Sequence, residues 1–132
     1  MDALKQFLVT FVVFMVVDLI WLGVVAKKLY AQYLGYIMAE SVNWIAAFSF
    51  YILFVIGIVF FVVNPAIQKE SWVYALTVGA FFGLLTYATY DLTNLATLKD
   101  WPLTITIIDL IWGTFLSSTT ATVSYFILRA LK

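Results

Sequence analysis

Residues 4–25 read LKQFLVTFVVFMVVDLIWLGVV, and the fold turns on how that run is read. About 20 apolar residues, rising about 1.5 Å each, cross the ~30 Å of hydrocarbon in a bilayer. Past Lys5 at its edge, one charge interrupts the run, Asp18. A secretory leader has an apolar stretch of only about 7–15 residues, followed by a small-residue cleavage site. This run is longer and is followed by Lys27 and Lys28, so it reads as a retained transmembrane helix. A carboxylate at that depth costs roughly 2.5–3.5 kcal/mol on insertion scales, and something must offset the cost.

Working outward, three more runs reach the same length. The expected architecture is all-α, an integral membrane four-helix bundle forming a single transmembrane domain over 1–132. Its spans fall at about 4–25, 42–63, 72–92 and 103–128. Helices are expected because lipid offers no partner to an exposed peptide group. The second span should stop before Asn64-Pro65, since the residue preceding proline resists the helical region. Pro102 suits the first turn of the fourth. Trp44, Trp72 and Trp101 fall at span ends, as an aromatic belt would place them. Between the first two spans, Tyr30, Tyr33, Leu34, Ile37 and Met38 recur at helical spacing, which predicts a short interfacial helix. An ordinary tyrosine-rich loop stays open there.

Composition agrees. The chain is 65% hydrophobic and 11% charged, where a soluble domain carries about 25% charged residues; mean hydropathy is +1.07. There is no cysteine and no histidine, which removes disulfides, thiolate sites, the usual general base and histidine-held iron; no cofactor is expected. Seven basic residues balance seven acidic ones, and no basic patch suggests nucleic acid. The expected partners are membrane lipids and a small-molecule or lipid-like ligand.

Four spans return both termini to one side. That side holds Lys5, Lys69, Arg129 and Lys132, and the other holds Lys27, Lys28 and Lys99. The small positive excess predicts cytoplasmic termini in a multi-pass membrane protein. The near balance leaves a dual-topology homodimer open.

Depth counting then gathers the polar residues. Asp18 lies just past the middle of an outward span, Asp91 near the end of another, and Asp109 near the start of the returning one. All three fall on the side away from the termini, with Asn43 and Asn94 near the same level. Tyr87, Tyr90, Asp91 and Asn94 share one helical face, at i, i+3, i+4 and i+7. Trp21 and Trp112 each follow an aspartate by three residues and could offer π-surface to a cation. Two carboxylates at close range would hold one proton between them. These residues form the expected ligand-binding or proton-coupling set. Asp18, Asp91 and Asp109 also make an oxygen-ligand metal site conceivable, though no D-x-D spacing supports it. Asp18-Leu19-Ile20-Trp21 returns as Asp109-Leu110-Ile111-Trp112, but a two-plus-two duplication would pair the first span with the third, not the fourth. Gly79 and Gly83 form a GxxxG motif permitting close helix approach. Ser117 to Thr122 make the fourth span small and hydroxylated, read chiefly as helix-helix contact and secondarily as a polar passage.

The strings DLIWLG, YDLTN followed by ATL, WP and DLIWG resemble an uncharacterised bacterial family of small four-helix predicted membrane proteins, a domain of unknown function. The resemblance covers essentially the whole chain. It marks Asp18, Trp21, Tyr90, Asp91, Asn94, Trp101, Pro102, Asp109, Trp112 and Gly113. It implies four helices in a bacterial inner membrane and no established activity. The association of members with fatty-acid modification genes implies a lipid-related role. In outline the chain is similar to small multidrug transporters, which use glutamate and whose motifs are absent here.

Three functions follow. The first is a small protein that binds or transports a polar, cationic or lipid-like ligand with proton coupling. The second is a cofactor-independent acid/base enzyme, of isomerase or cyclase type, on a lipid-like substrate. The third is a structural partner subunit.

Overall fold

The computed structural model describes residues 2–132 and has no strand among them. Its helices are α1 (Ala3–Ile37), α2 (Trp44–Gln68), α3 (Trp72–Thr97) and α4 (Leu103–Ala130), each long and apolar enough to cross a membrane. The protein is a four-helix membrane bundle. Alternating helix directions bring both chain ends to one end of it, the near end, where the Lys5 ammonium donates to the Leu131 carbonyl at 3.2 Å.

Helix starts follow from short polar side chains. Asp2, Asn43 and Ser71 cap α1, α2 and α3 by accepting from the backbone N–H of Leu4, Ala46 and Tyr74. The two short turns place Glu70 (φ 52°) and Asp100 (φ 63°) in the left-handed region, which lets α3 and α4 fold back as antiparallel neighbours.

Two boundaries differ from expectation. The segment read as a separate interfacial helix is present as Lys27–Leu34, but it continues α1. A π-helical turn at Leu22–Ala26 carries the chain through with right-handed helical backbone on both sides, because no proline or capping residue interrupts it. Its apolar face meets protein: Leu34 is buried with Trp101 and Ile105, while Ile37 and Met38 are exposed. Trp101 therefore belongs to this small core and not to an aromatic belt; its indole N–H donates to Thr106 Oγ1 at 3.1 Å.

The second span also runs on past Asn64-Pro65, to Gln68. A π-helical turn at Val59–Val63 precedes the proline, whose missing N–H breaks the regular ladder of helical hydrogen bonds. The Phe61 carbonyl, four residues before Pro65, accepts instead from the Tyr74 hydroxyl at 3.3 Å.

Small residues draw α3 onto α4. A Cβ at Gly79 would sit 3.1 Å from Ala121 Cβ, and one at Gly83 would overlap the Gly113 carbonyl. So the GxxxG motif meets a stripe of Gly113, Ser117 and Ala121. The near half of the bundle is closed around Phe14, Ile58, Val62, Leu116 and Leu128. The far half is not. From Ser41 to Phe50 every residue but Ala47 is exposed, and α2 joins the core from Tyr51 and Phe54.

Candidate functional site

The far half holds three buried carboxylates on three helices: Asp18 on α1 at 7% exposure, Asp91 on α3 at 0% and Asp109 on α4 at 5%. Each is held there by an ordinary helical register, with an apolar residue one turn away toward the near-end core. Glycine sets the spacing. Gly113 has no Cβ, and the Tyr87 ring fills that space against α4. This brings Asp91, one turn beyond Tyr87, to the level of Asp109.

Asp91 and Asp109 are neighbours across the α3–α4 contact. Asp109 accepts from the Tyr30 hydroxyl. Both oxygens of Asp91 are buried, and no donor reaches them among the described residues. The result is a chain, Tyr30 to Asp109 to Asp91, ending in an acid whose remaining partner is its neighbouring acid. Two adjoining carboxyl groups are stable together when one proton lies between them.

Two cavities meet beside this chain. One, of about 420 Å³, is lined by Phe50, Thr86, Tyr87, Tyr90 and Asp109. Phe50 is 46% exposed and Tyr90 57%, so the cleft opens sideways between α2 and α3, where α2 stands away from the bundle. The second, of about 260 Å³, has Asp18, Trp21, Tyr30, Tyr51, Tyr87 and Trp112 among its walls. Phe50 and Tyr87 belong to both. Trp21 and Trp112 stack at 4.3 Å between centroids and 10° between planes.

Of the residues expected from sequence, Asp18, Trp21, Tyr87 and Trp112 thus share one cavity, and Tyr87, Tyr90 and Asp109 share the other, with Asp91 against Asp109. Asn94 lies one turn beyond Tyr90 on α3. Asn43 is exposed and spends its side-chain oxygen on the Ala46 N–H at 3.1 Å; it serves as a helix cap and lines neither cavity. The three carboxylates do not converge on a point, and among the described residues no cluster of three such ligands could hold a metal. The oxygen-ligand alternative therefore lacks its geometry: Asp18 faces the second cavity while Asp91 and Asp109 face each other. Residues not expected at the site are Tyr30, Tyr51 and Phe50. Tyr30 had a signal, its place on the apolar face of Lys27–Leu34, but a helix continuous with α1 was needed to bring it to Asp109.

A family model described as "Predicted membrane protein (DUF2177)" matches residues 3–126. No curated protein and no solved structure matches the chain.

Proposed function

The chain belongs to that family of predicted membrane proteins, and from the geometry of its site we propose that it binds an amphipathic, lipid-like ligand at the far-end carboxylates and exchanges it against protons. One observation carries this reading. Asp91 is fully buried without a donor, beside Asp109, which lines a cleft that opens sideways between helices. A ligand that reaches Asp109 through this cleft enters from the bilayer, so it is soluble there and has a polar group to present. A polar cavity with apolar walls is the usual form of such a site.

Exchange follows from charge. The basic residues of the far end, Lys27, Lys28 and Lys99, are all exposed, so neutralisation of the cluster falls to protons or to a ligand. Toward the near end, Thr10, Ser117, Thr120 and Ser124 are buried with hydroxyls lacking partners. Ser117, Thr120 and Ser124 follow one another at helical spacing on α4, giving protons a polar seam below the cluster. With the four basic residues of the near end toward the cytoplasm of a bacterial inner membrane, the site lies in the outer leaflet.

Mass spectrometry of the protein released from native membrane should find a copurifying amphiphile. That amphiphile should be lost from Asp91→Asn together with Asp109→Asn. Its binding should weaken on acidification, since protons compete for the same carboxylates. A bound fraction that is the same at low and high pH overturns proton exchange.

The hydrogen bond from Tyr30 to Asp109 favours a second reading, an acid/base enzyme in which Tyr30, Asp109 and Asp91 relay a proton to a lipid-like substrate. A cell lipid profile left unchanged by the double Asp18→Asn and Asp109→Asn replacement removes it.

A further inference from the structure

The smaller cavity has a composition of its own. It holds one carboxylate, Asp18, and six aromatic residues: Trp21 and Tyr30 from α1, Phe50 and Tyr51 from α2, Tyr87 from α3 and Trp112 from α4. Asp18 is 93% removed from solvent by the bundle, at 7% exposure. Among the described residues its side chain takes part in no hydrogen bond, and it lines the cavity. Four separate helices thus contribute rings around a single unpartnered acid.

The chemistry of such a box is selective. An aromatic face carries negative potential and attracts a cation, the more strongly when both are withdrawn from water. A metal ion asks for several oxygen ligands, and this cavity offers a single carboxylate. An organic ammonium group asks for less. Its charge is spread over carbon-bound hydrogens, its surface is apolar enough to lie against rings, and one carboxylate balances it. At about 260 Å³ the cavity accommodates a head group and not a whole amphiphile. The rest of the molecule has a route: Phe50 and Tyr87 are shared with the cleft of about 420 Å³, which opens between α2 and α3.

We infer that Asp18 and its surrounding rings recognise an organic ammonium head group, and that the ligand is an alkylammonium amphiphile whose chain leaves through the cleft past Phe50. This rests on the amphiphile-binding reading above and names its ligand class. Asp18 meets the cationic head, and Asp91 and Asp109 complete the acid cluster whose protonation competes with it.

The test uses the full chain in maltoside micelles and two probes, dodecyltrimethylammonium and dodecyldimethylphosphine oxide. Their chains are alike and their heads similar in volume, but only the first is a cation. Calorimetric titration should show the ammonium probe binding about tenfold more tightly. Asp18→Asn and Tyr51→Leu should each remove most of that preference, weakening the ammonium probe far more than the neutral one, with an unshifted melting transition reporting that the fold is intact. If both probes bind equally and Asp18→Asn alters neither, the box is apolar packing and falls, while the amphiphile site stands. If both variants lose both probes together, these residues only hold the cleft open, and the box again falls. If neither probe binds saturably to the parent protein, both readings fall.

Discussion

Asp91 and Gly113 carry opposite constraints on the same few ångström. Asp91 is polar where the surroundings give it no donor, and Gly113 is empty where any side chain would collide. Replacing Asp91 by Asn supplies an N–H to the neighbouring Asp109 carboxylate and removes a buried acid. Thermal unfolding in detergent should then show a more stable protein, by about 1 kcal/mol, that no longer takes up a proton on ligand release. A destabilised Asp91→Asn would mean that the acid already has a satisfying partner. Gly113→Ala should cost roughly 1–3 kcal/mol, because its Cβ overlaps the Tyr87 ring and neither helix can retreat without losing the Gly83 contact. Gly23→Ala is the control. Nothing lies within 4 Å of a Cβ there, so the change should be neutral or stabilising by up to about 1 kcal/mol. Equal melting shifts for the two alanines would remove the close approach of Tyr87 as the cause.

At the scale of an element, α1 has two parts with different supports. Ala3–Trp21 is held by the main core, and Lys27–Leu34 by the small cluster of Leu34, Trp101 and Ile105. The second part places Tyr30 on Asp109 and lies over the far end of the site. Its attachment is local, so it should open without the bundle unfolding. Leu34→Ala, which empties a buried position, should speed tryptic cleavage at Lys27 and Lys28 severalfold and leave the main melting transition nearly in place. A large fall in that transition with no change in cleavage would show instead that this segment folds as one unit with the core. The far half of α2 is the second loosely held element. It takes few contacts before Tyr51 and Phe54, and the cleft beside Phe50 exists because of it.

For the whole molecule, the asymmetry between halves is the organising feature. The near half is closed by glycine and small-residue contacts; the far half is propped open around three acids. Antiparallel register connects them. Trp21 stacks on Trp112 and Lys5 reaches Leu131, which sets Thr10 level with Ser124 and Asp18 level with Ser117. From the acids toward the near end, the hydroxyls of Ser117, then Thr120, then Ser124 with Thr10 therefore descend in steps of about one helical turn. Thr120→Val keeps the shape and removes an unpartnered hydroxyl, so folding should be retained or improved. Ligand affinity in micelles should be unchanged, while ligand-driven proton movement in proteoliposomes should fall about tenfold. Undiminished proton movement with Thr120→Val and Ser124→Ala together would mean that protons leave by another path.

Apolar length, connection length and the place of each charge along its run decide a great deal before any tertiary contact forms. They set four membrane helices, a common end for both termini, and a common far half for Asp18, Asp91 and Asp109, because a bilayer admits few alternatives to a spanning helix. The GxxxG pair was legible for the same reason: a missing side chain permits close approach whatever the partner. Rotation about each helix axis and tilt were not legible. They depend on which small residues face which, and only the meeting of Gly83 and Tyr87 with Gly113 turned Asp91 toward Asp109 and left Asp18 among rings. Asn43 fell at the expected level but had its own backbone to cap. Tyr30 was written into the sequence as an amphipathic face, yet only the continuous passage through Leu22–Ala26 carried it to Asp109. The repeated Asp-Leu-Ile-Trp string also found its meaning in three dimensions, where antiparallel register stacks its two tryptophans against each other.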